Sequence, residues 1–136
     1  MKKQMIGFVL ATFSTLALAG AAIDVPVEID MDSKVAFGNM KTARFSSNEF
    51  EQIGCGTRTF GANDVDPGFS WGFCQAQIIE GESVICFAYD KPDLIDQIKA
   101  LDSFSFVTFR WDDEGNCTYV GSSTQSQYIP SKKFKD

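Results

Sequence analysis

Residues 73–87, FCQAQIIEGESVICF, decide how this chain folds. Cys74 and Cys86 stand at equal distance on either side of Glu80, which is followed by Gly81. Runs of β-branched and aromatic residues flank a Glu-Gly turn, and this predicts a β-hairpin of strands 69–78 and 82–89. The turn sets the register. If residues 79–81 form a three-residue loop with Gly81 left-handed, Ile78 faces Glu82, Ala76 faces Val84 and Cys74 faces Cys86. If Gly81-Glu82 forms a two-residue turn instead, Cys74 faces Tyr89 and Cys86 points to the other side of the sheet.

The register matters because of the cysteines. Opposed residues have Cβ atoms about 4.5–5.5 Å apart, closest in non-hydrogen-bonded pairs. A disulfide wants roughly 3.5–4.5 Å, so only the closer type of pair accepts one. Four cysteines are present, Cys55, Cys74, Cys86 and Cys117. An even number behind an export-like N-terminus reads as a disulfide framework. Of the three possible pairings, the three-residue loop favours Cys74–Cys86 with Cys55–Cys117. No C-x2–4-C knuckle and no C-x-x-C occurs, so the spacing argues against structural zinc and dithiol redox chemistry.

The hairpin has two unlike faces. One carries Cys74, Ala76, Ile78, Val84, Cys86 and Ala88, mostly small. The other carries Phe69, Trp71, Phe73, Ile79, Ile85, Phe87 and Tyr89. The expected arrangement lays the N-terminal strands over the aromatic face and makes it core. Left uncovered, the same face (Phe69, Trp71, Phe73, Phe87 and Tyr89) is a candidate binding surface for a protein or a glycan.

Outward from the hairpin, DKPDLIDQIKALDS at 90–103 predicts a helix over about 92–102. Pro92 suits its first position and Asp93 its first turn, and Leu94, Ile95, Ile98 and Leu101 form one apolar stripe. Residues 103–111 and 116–123 predict a second hairpin around DDEGN. Upstream, 23–31 alternates apolar and acidic residues like a half-buried strand, with Pro26 near an edge. Strands are also expected at about 40–46 and 51–60, separated by SSNE, with 61–68 a loop. The order gives an α+β class: a mainly antiparallel sheet of hairpins with one helix packed on it and disulfide staples. A small β-sandwich with a short helix is the alternative.

The N-terminus, MKKQMIGFVLATFSTLALAGAA, has a basic start, a short apolar run and small residues, as a secretory signal does. Residues 1–19 are the expected signal, cut between 19 and 22, leaving 20–136 as a single secreted or periplasmic domain that does not span the membrane. The run is too short and too broken for a spanning helix. Loss of Lys2 and Lys3 leaves ten of the twelve basic residues against eighteen acidic ones, a net charge of −8. That balance disfavours nucleic acid, whose binders need basic patches.

The chain contains no histidine, which excludes Ser-His-Asp and Cys-His catalysis and His-ligated metals. A hydrolase built on carboxylates is the catalytic alternative, but the acids cluster in turns, where solvation explains them. Asp64 and Asp66, and Asp112 and Glu114, are weak calcium candidates that lack the ligand spacing of an EF-hand. No cofactor is indicated. The reading is an exported, disulfide-stapled, non-catalytic domain that binds a protein or surface glycan; a structural envelope component is a third possibility.

Overall fold

The computed structural model describes residues 20–129. The signal-like segment 1–19 and the basic C-terminal SKKFKD lie outside the described residues. The chain forms strands β1 (Glu28–Asp30), β2 (Val35–Asn39), β3 (Gln52–Phe60), β4 (Phe69–Ile79), β5 (Glu82–Ala88), β6 (Phe106–Trp111) and β7 (Cys117–Ser123). Helix α1 spans Met40–Phe45 and α2 spans Pro92–Lys99. All strand pairs within the sheets are antiparallel. They make a four-stranded sheet in the order β1-β2-β6-β7 and a three-stranded sheet in the order β3-β4-β5. The α+β class stands, with the strands divided between two sheets.

The decisive hairpin is β4–β5. Glu80-Gly81 makes its turn, with Gly81 at φ 80° and Ile79 facing Glu82. The expected Ile78–Glu82 pairing is therefore corrected by one place, because Ile78 is bulged out of the ladder between Gln77 and Ile79. The freed Ile78 carbonyl accepts a hydrogen bond from the Asn48 side chain. The bulge adds back the residue that the tighter turn removes, so Ala76 still faces Val84 and Cys74 still faces Cys86.

The disulfides nevertheless connect Cys55 to Cys74 and Cys86 to Cys117. This overturns the expected Cys74–Cys86 and Cys55–Cys117 pairing, and sheet geometry supplies the reason. β4 is the central strand, so Cys74 has two opposite residues, Cys55 on β3 and Cys86 on β5. The Cα atoms of Cys55 and Cys74 are only 4.0 Å apart, the spacing of a non-hydrogen-bonded pair. A residue's N–H and C=O point to the same side of its strand, so those of Cys74 face β5. Cys74 and Cys86 then form the wider, hydrogen-bonded type of pair, which accepts a disulfide poorly. Non-reducing peptide mapping of the oxidised protein is expected to recover Cys55 with Cys74 and Cys86 with Cys117; a Cys74–Cys86 peptide would contradict this register.

Cys86 instead crosses to the other sheet. The Phe87 N–H donates to the Gly115 carbonyl at 3.0 Å, which clasps β5 to the β6–β7 turn and brings Cys86 and Cys117 to a Cα separation of 5.0 Å. The Lys91 ammonium donates to the Cys117 carbonyl from the start of α2. The small face of β4 and β5 turns inward, with Cys74, Cys86 and Ala88 fully buried and Ala76 nearly so. Ala36, Val107, Phe109, Trp111 and Val120 join it from the four-stranded sheet, and Ile95 and Ile98 from α2. Gly72 makes room for the helix: a Cβ there would lie 2.6 Å from Ile98 Cδ1.

Three further readings change. Residues 40–45 form α1 instead of a strand. The buried Asn39 caps it, its Oδ1 accepting the Thr42 N–H at 3.1 Å. Helix α2 ends at Lys99, before the expected 102, with Leu101 closing back on the Ile98 carbonyl. The N-terminal strands also do not lie over the aromatic face, because β1 and β2 pair with each other and with β6.

The β6–β7 turn organises itself around Asp112. Its Oδ1 accepts the N–H groups of Asn116 at 2.8 Å and Glu114 at 3.1 Å. The Asn116 N–H above all, then the Asn116 side chain, the Glu114 N–H and the nearby Lys91 charge, hold the Asp112 carboxyl below its ordinary value. The Ser33 N–H does the same for Asp30. A carboxyl whose folded pKa is lowered stabilises the fold above its unfolded pKa, and that stabilisation is lost as pH falls through the folded value. Urea unfolding from neutral pH to well below the ordinary carboxylate pKa should therefore cost the wild type more stability than it costs Asp112→Asn. Equal acid sensitivity would contradict the assignment.

Candidate functional site

In an antiparallel sheet, paired residues share a face, so the register of β3-β4-β5 defines its outer surface row by row. Phe60 lies beside Phe69. Arg58 lies beside Trp71, and Trp71 lies against Tyr89 with ring centroids 5.5 Å apart. The next row is Gly56, Phe73 and Phe87, then Gly54, Gln75 and Ile85, and last Gln52, Gln77 and Ser83. Strand alternation alone produces this: every second residue of the three strands faces out, while Gly72, Cys74, Ala76, Cys86 and Ala88 face in.

Four of the rings form a connected group. Trp71 sits 5.8 Å from Phe73 and 5.9 Å from Phe87, and Phe87 stacks on Tyr89 at 5.7 Å. At one end Phe60 and Phe69 stack at 4.9 Å, bordering a cavity of about 430 Å³ that is also lined by Asn63, Asp66 and Pro67 of the 61–68 loop. The Arg58 guanidinium lies 5.1 Å from the centre of the Phe73 ring and donates to the Thr57 carbonyl. Phe73 leans over Gly56, where a Cβ would meet its ring at 2.9 Å.

The face stays open to solvent. Phe60, Phe69 and Tyr89 are 57%, 59% and 49% exposed, and Trp71, Phe73 and Phe87 are half-buried by one another. The expectation that this face is core is thereby corrected. The small inward face packs with the other sheet and α2, and no described element lies on the aromatic side. The other sheet differs, since the short 3-10 helix Ser126–Tyr128 stacks Tyr128 on Phe106 of its outer face at 5.8 Å.

The structure thus brings Phe69, Trp71, Phe73, Phe87 and Tyr89 together on one face. It adds Arg58, Phe60, Gln52, Gly54 and Gly56 from β3, which sequence reasoning did not place there. Ile79, past the bulge, is exposed at the turn end.

The acidic candidates do not assemble. Among the described residues no three His, Cys, Asp or Glu side chains converge on a point. Asp112 and Glu114 belong to a turn in which the Asp112 carboxylate is already engaged by N–H groups. Around Asp64 and Asp66 it is Asn63 Oδ1 that organises the loop, accepting from the N–H groups of Val65 and Asp66. Among the described residues no helix is long and apolar enough to cross a membrane. The two disulfides fit an oxidising compartment. No family model, curated protein or solved structure matches the chain, so its activity is to be read from its own surface.

Proposed function

We propose that this chain is an exported, non-catalytic binding domain whose contact surface is the outer face of the β3-β4-β5 sheet. The observation that carries this is the aromatic face itself, with Trp71, Phe73, Phe87 and Tyr89 in one ring cluster and the Phe60–Phe69 stack at its end, left open on a sheet whose other face carries core residues. Soluble domains expose large contiguous apolar patches mainly where something docks. The two disulfides and the signal-like start support export.

The magnitude is modest. Full burial of a large apolar side chain is worth about 1.5–3 kcal/mol, and these rings have roughly half of that still to gain. Covering five of them supplies on the order of 5 kcal/mol, which the roughly 4–15 kcal/mol cost of association largely consumes, so measurable affinity requires polar contacts in addition.

Because these rings serve the surface rather than the core, Trp71→Ser should cost only about 1–2 kcal/mol of stability, the worth of its aromatic neighbours. Urea unfolding checks this, and a larger loss would mark Trp71 as core. The functional test immobilises the oxidised mature protein, exposes it to native envelope and medium, and compares three forms. Retained material should be lost with Trp71→Ser/Phe87→Ser and kept with Tyr119→Ser on the other sheet, where Tyr119 is 49% exposed. Equal retention by all three, or hydrolytic turnover, would contradict the proposal.

A further inference from the structure

We infer that the aromatic face takes a neutral polysaccharide chain, an inference that rests on the binding surface proposed above and names its ligand class. Three features select this occupant.

The first is charge. The chain carries a formal net charge of −6, yet among the outward residues from the Gln52–Gln77–Ser83 row to the Phe60–Phe69 row Arg58 alone is charged. That one cation is already placed over Phe73 and bonded to the Thr57 carbonyl. Anionic membranes and nucleic acid are repelled by the acidic chain as a whole, and a second copy meets the same repulsion. A neutral ligand meets none.

The second is the division of the face into an aromatic half and a carboxamide half. Phe69, Trp71, Phe73, Phe87 and Tyr89 offer ring faces, whose negative quadrupole attracts the weakly positive C–H bonds on the flat side of a sugar ring. One row further along stand Gln75 and then Gln52 and Gln77. Gln52 and Gln77 bond each other at 2.9 Å, whereas the Gln75 carboxamide bonds no other described residue. A carboxamide both donates and accepts, as a hydroxyl does, so it suits a ligand rich in hydroxyls and free of charge.

The third is space. Gly54 sits directly opposite Gln75, and a Cβ built there meets nothing within 4 Å. The glycine leaves a shallow open strip beside the free carboxamide, continuous with the rings. An extended chain lying on this face thus meets stacking rings first and a hydrogen-bonding group next to them.

The test uses the oxidised mature protein with insoluble cellulose and chitin in sedimentation assays and soluble β-glucan and starch in affinity gels. Retention by at least one of these, unchanged from low to high salt, is expected, since no ion pair contributes. Trp71→Ser and Gly54→Leu should each weaken it about tenfold, a change of about 1.4 kcal/mol. Gly54→Leu removes no ring and enters open space, so its loss reports obstruction of the strip and not misfolding. No retention on any probe, with Trp71 open to a soluble quencher in a monomer, overturns the ligand class and leaves the surface standing. Capture of a protein without any polysaccharide, or a dimer that shields Trp71, also overturns it. Trp71 shielded in the monomer overturns the surface itself.

Discussion

Replacing both Cys86 and Cys117 with alanine is expected to lower the unfolding free energy by about 3–4 kcal/mol, the chain-entropy value for a closed loop of this length. The two residues are 31 apart in sequence and fully buried, and their bond joins β5 of one sheet to β7 of the other. Cys55–Cys74, with a separation of 19, joins two strands that already pair residue for residue. Losing the inter-sheet bond leaves the Phe87–Gly115 hydrogen bond and the apolar core to hold β5 against the β6–β7 turn. A lower urea midpoint with a somewhat steeper slope is the expected result, since the freed unfolded chain expands and exposes more surface. A loss under about 1 kcal/mol would show that the bond constrains little in the unfolded chain.

The second large effect is expected at Phe109. It is the largest fully buried side chain, and it pairs with Ala36 on one side and Val120 on the other. The inner face of the opposing sheet carries mostly small residues, Gly72, Cys74, Ala76, Cys86 and Ala88 beside the larger Ile53 and Val84, and the small ones cannot fill a void. Phe109→Ala should therefore cost about 3–5 kcal/mol, the upper range for core truncations. That is a large share of the roughly 5–15 kcal/mol that stabilises a domain. If the alanine variant does not fold, Phe109→Leu still reports the site through a smaller loss. Unfolding of Phe109→Leu at the wild-type midpoint would contradict the placement of Phe109 in the core.

Much of this was legible in the sequence, and the failures are instructive. Gly81 marked the turn, and alternation separated the small face from the aromatic one. The sequence pattern did not say which face would be buried, since both are apolar. Volume decides it: small inward residues let the second sheet and α2 approach, and bulky ones do not. The cysteine pairing is not legible from the hairpin alone, because the hairpin gives β4 one neighbour where the fold gives it two. The boundaries 51–60 and 69–78 already place Phe60 opposite Phe69 and hence Cys55 opposite Cys74. An eight-residue connection such as 61–68, however, fixes no register in the way a tight turn does. Helix α1 escaped because MKTARF is too short to show a period and is specified by the Asn39 cap. The β3 members of the surface, Arg58, Phe60, Gly54 and Gly56, escaped for the same reason as the disulfide, since they join the face only once β3 is paired with β4.

The central claim is that the ring-bearing face of the β3-β4-β5 sheet is open and the opposite face is core. The chain's two tryptophans report on the two environments, Trp71 half-exposed among the rings and Trp111 buried at 9% exposure. Acrylamide quenching of the oxidised protein is the direct measurement. The expected result is two populations, one quenched readily and one protected, with Trp71→Phe removing the quenchable one. A single protected population in the monomer, or an accessible tryptophan that survives Trp71→Phe, would contradict it.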